Sequence, residues 1–206
     1  MERIFVVKAD KIREFFKEHN IQEGYIKNIH AHAIYNHIQN KKIVMNRDDV
    51  EHDKRYLQII PYITIVTSDG ENLLYLAYSR SKASGESRLH SKYSLGFGGH
   101  MDEEDGCIHK CIERELQEEL SISKIEPIRL QYAGIIYTTE TDVSSVHIGL
   151  HYFYTVSYDQ IIVPSREIDE IKLLTLEEID DYSDKLESWS SIIYEVLKER
   201  QPLLRL

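Results

Sequence analysis

A chain of 206 residues, 42% hydrophobic and 29% charged, has the length and composition of one globular domain with room for an extension. Its formal net charge of −10 argues against long nucleic acid as the main partner, because backbone binding needs clustered cations; a small phosphorylated ligand stays open, since divalent metal can sit between phosphate and an acidic site. Two cysteines make no disulfide framework, no apolar run has the length of a membrane span, and the start MERIFVVKADKIREFF has no small-residue cleavage site, so a cytoplasmic chain without signal peptide is expected.

Residues 1–55 read as a partly helical N-terminal extension packed on a main domain over 56–206. Ile12, Phe15 and Phe16 fall at helical spacing in Lys8–His19; Gly24 interrupts; Ile26, Ile29, Ala33 and Ile34 continue a helical pattern through Tyr25–Gln39. Then the texture changes. YITIVT (62–67) and LLYLAY (73–78) are rich in β-branched and aromatic residues, and Ser68-Asp69-Gly70 between them is a turn signal, which predicts a hairpin. From position 96, GFGGHMDEEDGCIHKCIERELQEELSIS reads as a glycine-rich turn running into a helix over 105–120. Strand-like runs follow at Ile128–Tyr137 and His147–Val156, with a short one at Ile171–Leu174. Thr175–Tyr182 and Leu186–Arg200 read as helices, the second with Trp189, Ile192, Ile193, Val196 and Leu197 on one face. Strands on both sides of one central helix, with another helix at the end, predict an α/β sandwich with a mixed sheet.

The central helix carries charge where its buried face should be. At about 100° per residue, Ile108, Cys111, Ile112 and Leu116 fall on one side and Lys110, Glu113 and Gln117 on the other. Glu115 and Glu119 lie between Cys111 and Ile112, in the middle of the apolar stripe, and Glu118 lies at its edge. Their i, i+3, i+4 spacing makes the three side chains neighbours. Two carboxylates about 5 Å apart repel by roughly 3 kcal/mol at an effective dielectric of about 20, and partial burial adds desolvation. Arg114 reaches Glu118, but one guanidinium does not neutralise three acids. Oxygen-rich clusters of this kind suit Mg²⁺ or Mn²⁺, which keep some waters and accept phosphate oxygens. A Glu-rich helix is otherwise a solvated face with i,i+4 pairs; the wheel position and the preceding Gly98-Gly99 favour the metal reading.

Gly99 followed by Arg114-Glu115-Leu116-Gln117-Glu118-Glu119 resembles the Nudix box, G-x5-E-x7-R-E-U-x-E-E-x-G-U with U aliphatic. The R-E-U-x-E-E core matches fully, and Ile122 matches the last aliphatic. LLYLAYSR before the box, and LLTLEEI with a Trp-containing helix after it, extend the resemblance over about 56–200. KYSLGFGGH, with NRDDVEHDKRYLQIIPY ahead of the hairpin, is similar to a bacterial subgroup described as predicted phosphoesterases, which draws 1–55 toward the same unit. Three departures stand out. The distance from Gly99 to Arg114 is one residue longer than the pattern; the upstream acid has no counterpart in register, with Glu104 or Asp105 nearest; and Ser121 replaces the last glycine.

The resemblance implies a Nudix-type α/β/α sandwich with a mixed sheet, and hydrolysis of nucleoside diphosphates linked to another group. By the same resemblance Glu115, Glu118 and Glu119 bind Mg²⁺ or Mn²⁺, the Gly99 carbonyl is an extra ligand, and Arg114 orients the carboxylates. Glu119 would help take a proton from the attacking water, or a glutamate from a later loop would; Glu167 is placed for this, ahead of Glu140 and Glu170. A homodimer is implied in the same way. The alternative is a Nudix-fold sensor that binds a nucleotide without cutting it. Retention of all three core carboxylates favours the enzyme, and the lengthened glycine loop keeps the sensor open.

Ser79–His100 gathers Arg80, Lys82, Arg88, His90, Lys92 and His100 against one acid, Glu86. It reads either as a solvated loop or as a phosphate holder, with Arg80, Arg88, Lys92 and His100 as the candidate contacts. Phe97, Tyr132 and Tyr137 offer rings to a base, although strand aromatics usually pack. His30, His32 and His37 lack the i,i+4 pair of a helical zinc site. Cys111 reads as core and Cys107 as an inert thiol.

Overall fold

The computed structural model describes residues 2–80, 92–122, 124–160, 162, 164–166 and 168–200, without the side chains of 80 and 200. The first part of the chain forms β1 (Arg3–Lys8), α1 (Ala9–Glu18), β2 (Gly24–Ile26), α2 (Asn28–Lys41), β3 (Ile43–Asn46), α3 (Arg47–Val50), β4 (Tyr56–Ser68) and β5 (Leu73–Arg80). After these come β6 (Tyr93–Ser94), α4 (Ile108–Leu120), β7 (Leu130–Tyr137), β8 (His147–Thr155), β9 (Ile168–Leu174), α5 (Leu176–Asp180) and α6 (Ser188–Arg200). Contacts divide the chain into two units, and β4, α4 and β8 each run from one into the other.

The first unit comprises Met1–Tyr62, Gly98–Ile112 and Tyr132–Tyr152. Its strands lie in the order β2-β7-β8-β4-β1-β3. Phe5 of β1 stands opposite Val44 and Val7 opposite Leu57, both pairs antiparallel, and Tyr25 of β2 stands opposite Ile136. α1 buries Ala9, Ile12 and Phe16, and α2 buries Ala31, Ile34 and Ile38, at the three-to-four-residue spacing of one helix face. Residues 2–55 therefore contribute three strands as well as helices. Two of them, GYI and IVMN, are too short to establish a two-residue period. Gly24 does separate the two helices, at φ +118°.

The second unit comprises Ile63–Phe97, Glu113–Gln131 and Phe153–Leu206. The hairpin is present: Val66 stands opposite Tyr75 and Ser68 opposite Leu73. Its turn closes on Asp69, whose carboxylate accepts the amides of Glu71 (2.9 Å) and Asn72 (2.7 Å). β5 also pairs with β6 and β9. Tyr78 and Phe97 stack at 4.4 Å in the core. Thr175 and Glu178 form a capping box that starts α5, and α6 buries Trp189, Ile193, Val196 and Leu197. Ser190 of α6 accepts the Leu95 amide at 2.7 Å, which pins the chain just ahead of the glycine-rich turn.

Strands and helices combine in the mixed α/β class, as expected, and Tyr93 and Leu186 bridge in parallel where the pairs above are antiparallel. Among the described residues no helix is long and apolar enough to cross a membrane.

Candidate active site

The glycine-rich turn is built around a close backbone approach. Gly98 has φ +151°, and a Cβ there would lie 1.9 Å from the carbonyl oxygen of Pro61. Met101 then donates its amide to Ile59 (3.1 Å) and accepts that of Phe5 (2.7 Å). A 3-10 turn over Glu103–Asp105 follows, in which the Asp105 carboxylate takes the Asp102 amide at 2.8 Å, and Gly106 turns the chain again at φ +68°. The helix then starts at Ile108 rather than at the expected 105, because the 3-10 turn and Gly106 occupy the intervening residues. Of the two stand-ins for the upstream acid, Glu104 is exposed and Asp105 is buried within this cap.

On α4 the wheel reading holds. Ile108, Cys111, Ile112, Leu116 and Leu120 are buried, and so is Glu115; Glu119 is half-buried with its Oε2 shielded from solvent. Glu118 is open, its side chain 59% exposed against 9% for Glu115. Arg114 Nη1 donates to Glu115 Oε1 at 2.6 Å and to Glu118 Oε2 at 3.4 Å. A carboxylate buried as deeply as Glu115 needs such a partner, since breaking a buried pair costs about 3–5 kcal/mol. Among the described residues no three His, Cys, Asp or Glu side chains gather closely enough to hold a metal ion, so the three acids share a helix face without meeting at one point. The donor set nevertheless fits a hard divalent cation: all three are carboxylates, and two are already drawn together by one guanidinium.

The helix ends where the family pattern has glycine. Ser121 sits at φ +57°, with its amide on Gln117 O and that of Ile122 on Leu116 O, both at 3.1 Å. A side chain in this left-handed region is strained by about 1–2 kcal/mol, part of which glycine would return as unfolded-chain entropy. Ser121→Gly is therefore expected to stabilise the fold by about 0.5–1 kcal/mol, read from urea midpoints; a lower midpoint would contradict this.

The remaining candidates are scattered. Glu167 and Arg88 lie outside the described residues. The loop leading to Glu167 is tied to the helix end, because Ser165 donates its amide to the Glu119 carbonyl at 2.8 Å. Glu170 accepts from Lys172 Nζ and from the Tyr93 hydroxyl, each at 2.7 Å, and these bonds, Lys172 first, hold its carboxyl below the usual glutamate range. A carboxylate so occupied is poorly suited to take a proton. Glu140 is exposed. Arg80 pairs with Ile168 across a bulge at the end of β5, and Lys92 is exposed next to β6.

His100 has a partner that the sequence did not suggest. Its Nε2 lies 3.2 Å from Nε2 of His147, and His147 Nδ1 lies 2.6 Å from the Val143 carbonyl. A carbonyl only accepts, so His147 Nδ1 carries a proton; with the ring neutral its Nε2 accepts, and His100 is the donor. No local pattern links residues 47 positions apart in this way. Tyr132 and Tyr137 are packing groups: Tyr132 donates to Ala31 O, and the buried Tyr137 accepts from Arg13. His30 and His32 make ring contacts with Phe15 and Tyr132. Cys111 is buried, its thiol directed to the His100 carbonyl at 3.6 Å, and Cys107 is exposed.

A family profile described as NUDIX domain matches residues 59–197. Protein YmaB of Bacillus subtilis (strain 168) is 34% identical over 207 residues, spanning 96% of this chain and 98% of that one. The crystal structure of Tm1382, a protein assigned by name to the Nudix hydrolases, has 33% identity and a TM-score of 0.75, covering 95% of this chain and 98% of that chain. The NUDIX domain of Shewanella oneidensis NrtR, solved with ADP ribose, shares the fold at 16% identity and a TM-score of 0.56, over 70% of this chain and 88% of that one.

Proposed function

This chain belongs to the Nudix family of pyrophosphohydrolases, and on that premise we propose that it cleaves a diphosphate linkage in a nucleoside diphosphate derivative, with Mg²⁺ or Mn²⁺ held by Glu115, Glu118 and Glu119. The observation that carries this reading is the buried Glu115 braced by Arg114 on a helix face that also bears Glu119, a costly place to put charge. When bound, the metal supplies phosphoryl polarisation, leaving-group neutralisation and a more acidic water. Arg114 keeps the carboxylates of Glu115 and Glu118 aimed to one side. Glu119 or Glu167 takes the proton of the attacking water; the Ser165–Glu119 backbone bond supports Glu167 by tethering its loop to the end of the acidic helix. Gly99 as an extra ligand, and Arg80, Arg88, Lys92 and His100 as phosphate contacts, rest on the sequence pattern.

Incubation with Mg²⁺ and a panel of ADP-ribose, nucleotide sugars and dinucleoside polyphosphates is expected to release a nucleoside monophosphate from at least one of them, and EDTA is expected to stop it. Binding across the panel without release would replace the enzyme by a nucleotide sensor, the reading that the lengthened glycine loop keeps open.

A further inference from the structure

A pair of cations in the first unit has no role in the chemistry above. Arg13, Phe16, Lys17, Ile21, Glu23 and Tyr137 border a cleft of about 290 Å³ beside the end of α1. We propose that this cleft binds a small phosphomonoester.

The charge is unusual for this chain. Acids outnumber bases by 35 to 25, and on the same helix Lys11 is paired with Glu14 at 2.7 Å. Arg13 and Lys17, one turn apart on one face, make no ion pair among the described residues. Arg13 Nε donates to the Tyr137 hydroxyl at 3.1 Å, and Tyr137 is buried with its ring edge-on to Phe16 at 5.2 Å. The guanidinium plane is thus held by a fixed anchor, and its two Nη groups remain uncommitted as an oxyanion fork. Glu23, the acid of the lining, is engaged elsewhere: its oxygens accept the Thr139 amide at 2.7 Å and the Thr139 hydroxyl at 2.9 and 3.0 Å.

A lysine in a last turn often serves only to meet the helix carbonyls. Here those carbonyls are already covered by backbone: His19 donates to Phe15 O (3.1 Å), Asn20 to Lys17 O (3.4 Å) and Ile21 to Phe16 O (2.9 Å). Arg13 and Lys17 outnumber Glu23 in the lining, so the cleft is net positive, and the planar Arg13 fork beside the Lys17 ammonium suits the oxygens of a phosphomonoester. The volume exceeds that of bare phosphate, and Phe16 and Ile21 supply an apolar wall, so the ester carries an organic group of sugar or nucleoside size.

None of these residues belongs to the box, and the test needs no metal, so it stands or falls apart from the hydrolase reading. The full chain is titrated calorimetrically in EDTA with AMP, ribose 5-phosphate and adenosine. AMP and ribose 5-phosphate bind, and adenosine does not. Arg13→Gln with Lys17→Gln weakens AMP by at least about tenfold at an unchanged melting temperature. No heat from either phosphate at about 5 mM, adenosine binding as well as AMP, or an unaffected double variant would overturn the proposal.

Discussion

Glu119→Gln and Glu118→Gln are each expected to lower turnover by about a hundredfold to ten-thousandfold while the protein stays folded. The substitution is isosteric and removes only charge. It therefore strips a proposed metal ligand, and in Glu119 a candidate base, without opening a cavity. Glu118 has little stake in the fold, its side chain being 59% exposed, and Glu119 is only half-buried. Glu115 is a less clean probe, because its neutralisation also breaks the 2.6 Å bond to Arg114. The melting temperature supplies a second reading of opposite sign. In EDTA the variants are expected to melt no lower than the parent, and slightly higher where like-charge repulsion is relieved. In excess Mg²⁺ the parent is expected to rise further than either variant, because a ligand that binds only the native state stabilises it in proportion to its affinity. Unchanged turnover in both variants would remove these two glutamates from the chemistry.

Gly98→Ala, a single methyl added to the glycine turn, is expected to destabilise the protein by about 4 kcal/mol or more. Two costs add. The residue sits at φ +151°, where L side chains are strained, and its Cβ would stand 1.9 Å from Pro61 O and 3.0 Å from Pro61 C. The obstacle is backbone in β4, not the end of a flexible side chain, so relief would require moving a strand. For a chain of this size the loss corresponds to roughly 8–16 °C in melting temperature. Gly70→Ala is the control: φ is +97°, but nothing lies within 4 Å of the added methyl, so only the backbone strain of about 1–2 kcal/mol remains. Equal melting temperatures for the two variants would mean that the close approach at Pro61 is relieved at little cost.

Much of the acidic helix was legible because a helix writes its environment into a 3.6-residue period. Once Ile108, Cys111, Ile112 and Leu116 defined the inward side, Glu115 had to be on it, and the structure buries it. The helix starts three residues later than its periodicity implies because a 3-10 turn and Gly106 precede it, and neither leaves a periodic mark. The left-handed closing residue was readable in the same local way: the pattern asks for glycine, and Ser121 takes the glycine conformation.

Other features had no local signature. The three strands within residues 2–55 exist because distant segments complete their hydrogen bonds, as Val7 does with Leu57 and Tyr25 with Ile136. Gly98 is constrained by Pro61, His100 is held by His147, and Arg13 is anchored on Tyr137 across 124 residues. Amino-acid order alone determined which helix face the candidate carboxylates occupy, because side-chain direction along a helix follows from backbone geometry within a few residues. Only the folded chain decided which partner meets each of them, because a hydrogen bond or steric stop between remote segments depends on where the backbone brings both ends, and no short stretch contains that information.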